Sequence, residues 1–355
     1  MLQDLYKYLI IQTIRKETRD VKLFYFGEEA RKVITFNAGQ YLTFIFKDQG
    51  QEVRRSYSIA SSPVIHEPLS FGVRRISNGI FSRKLFDQAK VGDTLITLGA
   101  GGLFTLPENI HSVKRLIFFA AGTGIIPIYS LIKTALYPFP PIQIQIKLIY
   151  SNRSREDTLF YKPLKDLQDA FPDIFRIEFL FSNATDLLTA RLHSELISLY
   201  LKIYTPEELA DSLYYVCGPE AYMRLCTFTL QGLHIPPDNI KREIFHAAKQ
   251  VHKAAPPDKN DHEVSIIVNE KMHRLRVRYP VSILQSAKNK GLVLPYSCEI
   301  GRCGNCMARC VKGKIWMSYN EVLTEKELNR GLILTCTGFP IEGDAIISFD
   351  RLNES

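Results

Sequence analysis

Between Leu2 and about Glu108 the chain carries short apolar or alternating runs separated by turn residues: VKLFYF, YLTFIF, YSIA, LSFGV and TLITL. Runs of that length and spacing predict an antiparallel β-barrel. From Val113 the texture changes. Apolar runs RLIFFAA, IQIKLIY, RIEFLFS and LYYVCG alternate with helix-length segments such as IPIYSLIKTAL and AYMRLCTFTLQGL, the pattern of an α/β domain with a parallel sheet and right-handed crossovers. Residues 246–262, HAAKQVHKAAPPDKNDH, are polar, hold a Pro-Pro pair and show no periodic apolar face, so they read as a linker. The remainder offers strands VSIIVN and HRLRVRY, a helix near SILQSAKNKG, a cysteine-bearing loop and a final strand AIISF, an α+β pattern. The expected division is multi-domain: 1–110, 111–247, a linker over 248–261, and 262–355.

A chain of 355 residues, 46% hydrophobic and 23% charged, has enough apolar content for two or three domains. The formal charge of +8 is spread along the sequence without basic blocks, which argues against nucleic acid and favours an acidic protein partner. Near the N-terminus the apolar stretch is short and flanked by charges, unlike a signal peptide, so a cytoplasmic location is expected. The uncharged run Leu116–Ile132 is interrupted by Gly122, Thr123, Gly124 and Pro127, which fits a buried strand turning into a helix better than a membrane span.

Seven cysteines stand at 217, 226, 298, 303, 306, 310 and 336. Cys298, Cys303 and Cys306 form C-x4-C-x2-C, and Cys336 follows after 29 further residues, the ligand spacing of plant-type [2Fe-2S] clusters. Four thiolates must converge on two irons, and Gly301 and Gly304 allow the loop to close with its N–H groups turned inward. Structural zinc sites, the alternative, use two close C-x2-C pairs. Cys310, in the run MARCV, is the odd one out and reads as a core residue.

Such a cluster takes one electron at a time while nicotinamide gives a two-electron hydride, so a flavin is needed between them. Arg55 can neutralise a phosphate, Tyr57 can cover a flat ring, and the helix start at Asn78–Ser82 can hold a diphosphate. The turn Gly122-Thr123-Gly124 lets backbone approach a dinucleotide, and Cys217-Gly218-Pro219 ends a strand where open α/β sheets place their ligands. After IQIKLIY come Ser151-Asn152-Arg153-Ser154-Arg155, with two arginines and no acidic reader of a ribose 2′-hydroxyl, which favours NADPH over NADH.

In order, RSYS, NGIFS, AAGTGIIP, YSNRS and YVCGP resemble the ferredoxin-NADP reductase family. PYSCEIGRCGNCMARCVKGKIWM, LTEKEL and LILTCTGFP resemble the plant-type ferredoxin domains fused to bacterial oxygenase reductases, such as those of phenylacetyl-CoA oxygenase and ketosteroid hydroxylase. Together the two resemblances span almost the whole chain. They imply a flavin-binding barrel, an NAD(P)-binding α/β domain and a β-grasp ferredoxin domain, with FAD in preference to FMN. Carried over by motif, Arg55, Tyr57, Ser58 and Val73 hold the flavin and Gly79 and Ser82 its phosphates. Gly122, Thr123, Gly124, Ser151, Arg153, Gly218 and Pro219 bind NAD(P)H, and Cys298, Cys303, Cys306 and Cys336 ligate the cluster. Ser58, Cys217 and Glu243 form the catalytic group, with Glu243-Ile244-Phe245 reaching back toward the flavin. At Leu98–Phe104 the chain departs from its relatives, which place a proline before the glycine. No oxygen-activating motif is present, so the resemblance implies an external oxygenase, hydroxylase or desaturase as acceptor. A redox-sensing module is the alternative reading.

Overall fold

The computed structural model describes residues 6–48, 51–137, 144–245 and 254–350; residues 248–253 of the expected linker lie outside them. The chain divides into two compact units, one running to Phe245 and one following it.

The first unit opens with six antiparallel strands: β1 (Lys7–Lys16), β2 (Val21–Phe26), β3 (Tyr41–Asp48), β4 (Gln51–Ser58), β5 (Ser70–Arg74) and β6 (Thr94–Gly101). Their order is β4-β3-β6-β1-β2-β5, and an antiparallel bridge between Ile59 and Phe71 joins the two ends, so the expected barrel closes. The interior is aromatic: the Phe71 ring centroid lies 5.1 Å from that of Phe24, 5.5 Å from Phe26 and 4.7 Å from Phe44. Each such ring, fully buried, contributes about 1.5–3 kcal/mol of hydrophobic stabilisation. Strand β1 is additional to the expected runs. Only Leu9 and Ile11 of its ten residues are buried, too few to announce a strand.

Five parallel strands follow: β7 (Arg115–Ala121), β8 (Gln145–Asn152), β9 (Phe175–Phe181), β10 (Leu213–Cys217) and β11 (Ile240–Glu243). Their order, β11-β10-β7-β8-β9, runs outward from β7 in both directions. The crevice at the carboxyl ends of β7 and β10 is therefore the topological switch point, where such sheets bind ligands. Leu116 and Phe118 of β7 and the helix Ile125–Leu136 share one hydrophobic cluster with Val21, Leu23, Ala38, Ala60 and Phe104 of the barrel side. The Tyr215 hydroxyl adds a hydrogen bond to the Thr105 carbonyl at 2.9 Å. Barrel and sheet thus pack as one body.

The second unit is a mixed sheet of β12 (His262–Val268), β13 (Lys271–Val277), β14 (Met307–Met317), β15 (Leu332–Leu334) and β16 (Gly338–Ser348), ordered β13-β12-β16-β14-β15. Only β12 and β16 are parallel. The helix Ile283–Asn289 is capped by the Ser282 side chain, which accepts the Gln285 N–H, and its apolar side (Ile283, Leu284, Ala287) is buried. A sheet gripping one helix is the expected ferredoxin-type α+β arrangement. Asp258, inside the segment read as linker, belongs to this unit. Its carboxylate accepts the N–H groups of Asn260 and Glu342 and meets His262 Nε2 at 2.6 Å, contacts that hold it down at about 2. Among the described residues no helix is long and apolar enough to cross a membrane.

Candidate active site and cluster site

Alternation along β4 points Arg55 and Tyr57 to one side and Ser56 and Ser58 to the other. The Tyr57 ring lies against Phe44 and Phe71, with centroids 6.2 and 5.9 Å away, and burial pushes its phenol up to about 12 against the opposing pull of Arg55. Arg55 is exposed, with its guanidinium 5.3 Å above the Phe81 ring, which brings it beside the Asn78–Ser82 segment. Gly79 caps the helix Ile80–Arg83, and Ser82 Oγ donates to the Gly79 carbonyl while accepting the Ile76 N–H. Because that hydroxyl closes the turn, the free N–H groups of the first helical turn are the donors left for a phosphate. Val73 is fully buried among the barrel aromatics, so its side chain belongs to the core and only its backbone can face a ligand. In the departing loop, Gly102 (φ +112°) folds against the Tyr41 ring.

At the last residue of β4, directly after Tyr57, Ser58 Oγ donates to Glu243 Oε1 at 3.3 Å, across 185 residues of sequence. Glu243 is the register partner of Cys217 in the β10–β11 pairing. All three expected catalytic residues therefore meet, and all are buried. Burial raises the Glu243 carboxyl to about 8, with the Ser58 hydrogen bond opposing. Burial first, and the Glu243 charge second, push the Cys217 thiol well up.

The glycine turn after β7 is a single 3-10 turn, Gly122–Gly124, before the helix begins. Gly122 has φ +54° and open space where a Cβ would stand, whereas a Cβ on Gly124 would lie 2.1 Å from the Cys217 carbonyl oxygen. The turn and the end of β10 are thus in backbone contact, and only glycine permits it. Thr123 between them is half-buried, and the Tyr150 hydroxyl donates to the Gly122 carbonyl at 3.1 Å. Gly218 is buried and Pro219 caps the helix Glu220–Gly232. Ser151 sits opposite Ala121 across β7–β8. Ser151 Oγ and the Tyr222 hydroxyl lie near each other without reaching hydrogen-bonding geometry, and Asn152 Nδ2 is likewise buried without a partner. Buried polar atoms left unmet at a switch point are what a polar ligand satisfies, so these residues fit a dinucleotide. Arg153 and Arg155 are exposed just beyond, with Arg155 4.5 Å above the Tyr161 ring.

In the second unit the four candidate ligand thiols meet as two pairs, Cys298 with Cys303 and Cys306 with Cys336. Cys298 receives the Cys303 thiol and the backbone N–H groups of Ile300, Arg302 and Cys303, which together hold it down at about 6. Left-handed backbone at Glu299, Gly301 and Gly304 (φ +58°, +80° and +73°) curls the loop so that these amides turn inward. A Cβ on Gly301 would stand 2.7 Å from the Tyr319 carbonyl oxygen. The Cys336 segment is fixed by Thr335, whose N–H and hydroxyl both donate to the Cys306 carbonyl, at 3.1 and 2.9 Å. Two thiols per metal fit a two-iron cluster, whereas a single zinc ion asks for four donors at one point. Among the described residues no group of three or more His, Cys, Asp or Glu is gathered for a single metal ion. Cys310 points elsewhere, with Sγ directed at the carbonyls of Lys312 and Gly313; it is half-exposed, not the core residue the sequence suggests.

Sequence reading misses a polar brace on this loop. Arg302 meets Glu321 at 2.5 Å and Tyr319 Oη at 3.2 Å, while Lys288 holds both carboxylate oxygens of Glu299 at 3.0 Å. The only signal is an arginine set between two ligand cysteines.

Barrel, switch-point crevice and paired thiols define a class: a flavin and iron–sulfur oxidoreductase fed by a pyridine nucleotide. Comparison with known proteins agrees domain by domain. Residues 9–106 match the oxidoreductase FAD-binding domain, 118–227 the oxidoreductase NAD-binding domain and 266–340 the 2Fe-2S iron-sulfur cluster binding domain. The chain is 30% identical to one of the subunits of the 1,2-phenylacetyl-CoA epoxidase of Escherichia coli K12, over 96% of this chain and 97% of that one. It is 28% identical to the ferredoxin reductase component of 3-ketosteroid-9-alpha-monooxygenase from Rhodococcus rhodochrous, over 96% of both. Phthalate dioxygenase reductase shares the fold, with a TM-score of 0.60 at 22% identity over 98% of this chain and 99% of that one. The chain belongs to the ferredoxin-NADP reductase family whose members carry a C-terminal plant-type [2Fe-2S] domain, and it is an NAD(P)H-dependent oxidoreductase of FAD and a [2Fe-2S] cluster.

Proposed function

We propose that this chain is the cytoplasmic reductase component of a multicomponent oxygenase, hydroxylase or desaturase, oxidising NADPH in preference to NADH and passing electrons singly to an acidic acceptor protein. The observation that carries the reading is the meeting of Ser58, Cys217 and Glu243 at the switch-point crevice, in the same chain as two pairs of cluster-spaced thiols. FAD, when bound, accepts a hydride and releases electrons one at a time, and the cluster carries them singly.

The protein's own part is placement and charge control. The open backbone at Gly122 and the unmet polar atoms of Ser151 and Asn152 hold the nucleotide, with Thr123, Gly124, Gly218 and Pro219 shaping the crevice. Arg55 and the turn at Gly79–Ser82 face the flavin phosphates, and Tyr57 with Val73 backs the flavin from the barrel. Glu243, raised to about 8, keeps its proton at neutral pH, so a site that receives a hydride holds no buried carboxylate charge. Ser58 donates its hydroxyl to Glu243 Oε1, which orients the carboxyl while burial keeps it protonated. Cys217 stays a neutral thiol and acts by shape.

Arg153 and Arg155, exposed at the end of β8, support a 2′-phosphate and therefore NADPH. The formal charge of +8 supports an acidic acceptor, and the likeness to a monooxygenase reductase component supports an oxygenase as its class. Steady-state reduction of cytochrome c and ferricyanide with each nucleotide tests the reading. A higher kcat/KM with NADPH that Arg153→Ala erases is the expected result; a preference for NADH overturns the nucleotide assignment.

A further inference from the structure

The loop that leaves the flavin strand and the helix that leaves the nucleotide turn are joined by a polar clamp built on the buried Lys133 and the half-buried Glu67. β4 ends at Ser58, and the chain reaches β5 at Ser70 through the loop between them. The helix Ile125–Leu136 begins directly after Gly124. Lys133 of that helix is only 5% exposed. Its ammonium meets Glu67 Oε1 at 2.5 Å and lies 4.3 Å above the Tyr129 ring. The same Glu67 oxygen accepts the Ser62 N–H at 2.5 Å. Beside this pair, Ser130 Oγ donates to the Ser61 carbonyl at 2.6 Å, and the hydroxyls of Ser62 and Thr134 share a hydrogen bond of 2.7 Å. From the barrel side, Arg31 donates to the carbonyls of Pro63, Ile65 and Glu67 at 2.8, 2.9 and 2.7 Å. The loop is held from two directions.

Stability alone does not account for such a pair: Lys133 is buried while the Glu67 side chain is 28% exposed, and an ion pair that gives up part of its hydration is commonly no better than apolar residues of the same volume. What it adds is direction: each hydrogen bond fixes an angle and a distance that packing leaves free. Moving the helix moves the Gly122–Gly124 turn, and moving the loop moves Ser58. We propose that Glu67 and Lys133 are positioning residues that set the nucleotide turn against the flavin strand for hydride transfer. This rests on the electron path proposed above. Neither residue touches nucleotide or flavin in that reading; they act through the elements they join.

The test uses the full-length holoprotein and the variants Glu67→Gln, Lys133→Met, their double, Lys133→Arg and Ser62→Ala. Anaerobic stopped-flow reduction of the flavin is followed against NADPH concentration, with hydrogen exchange measured over residues 61–68 and 125–136. Misplacement by about 1 Å costs on the order of 100-fold in rate, so a slowing of about tenfold or more at saturating nucleotide is expected for Glu67→Gln and Lys133→Met, with the nucleotide Kd unchanged within about twofold. The double variant should be no slower than the slower single, Lys133→Arg should recover most of the rate, and exchange in both segments should accelerate. If Lys133→Met loses its flavin, the isosteric Glu67→Gln and the peripheral Ser62→Ala decide. Variants that melt earlier yet reduce their flavin at the wild-type rate, or slowings that multiply in the double, overturn the clamp. Failure of the wild-type flavin to bleach with NADPH and with NADH alike would instead remove the electron path itself.

Discussion

Glu243 sits in an environment far from the one its type suggests. A carboxyl held at about 8 is protonated at neutral pH and ionises as the medium becomes alkaline. Since the incoming hydride brings negative charge, flavin reduction should be fastest below about pH 8 and slow as pH rises through it; Glu243→Gln should flatten that profile, a comparison made by stopped-flow across pH. The linkage to stability has a definite sign. With the folded value above the ordinary 4.5, the folded state holds the extra proton, so stability falls as pH rises from the carboxylate range toward 8 and levels off beyond it. The cluster cysteines make an equally local prediction. Serine at 298, 303, 306 or 336 should lower bound iron and labile sulfide and bleach the visible spectrum, whereas Cys310→Ser should leave both unchanged, as iron and sulfide assays will show. Ligand spacing is legible because three thiols crowd one loop. Arg302 and Glu321 are not, since an ion pair joining a loop to a segment well downstream leaves no local pattern.

At the scale of elements, strands show themselves where both neighbours bury them. RLIFFAA reads as a strand because six of its seven residues are buried. β1 escapes notice because it turns most of its residues outward and is recognisable only through its pairing with β2 and β6. The meeting of β4 with β11, which brings Ser58 to Glu243, is a consequence of topology; only family resemblance points to it. The contact between the glycine turn and the end of β10 gives a sharp test. Gly124→Ala places a methyl 2.1 Å from the Cys217 carbonyl oxygen and must push two elements apart. A loss of about 1–3 kcal/mol in urea unfolding is expected, together with weaker nucleotide binding. Unchanged stability would mean that the turn does not pack on β10.

Over the whole molecule, the first unit carries the FAD-binding and NAD-binding domains, with the residues proposed for flavin and nucleotide, and the second carries the 2Fe-2S domain, with the thiol pairs gathered by one loop and one distant segment. Composition suggests several domains, and a change of texture at Val113 marks the passage from barrel to parallel sheet. The polar run after Phe245 marks the passage to the cluster unit, although Asp258 within it is bonded to Glu342. Long-range charge acts at this scale. With a net charge of +8, electron transfer to an acidic acceptor should slow as ionic strength rises, since exposed charges are screened beyond about 10 Å at 0.1 M salt. Reduction of an uncharged quinone at matched salt provides the control for the chain's own turnover. The central claim, that electrons enter as a hydride at the crevice and leave one at a time through the cluster, is tested most directly by anaerobic titration of the holoprotein with NADPH, read by visible absorbance and low-temperature EPR. Bleaching of the flavin accompanied by a rhombic [2Fe-2S] signal is the predicted result. A flavin that bleaches while the cluster stays oxidised and EPR-silent, with no electron reaching an added acceptor, would contradict it.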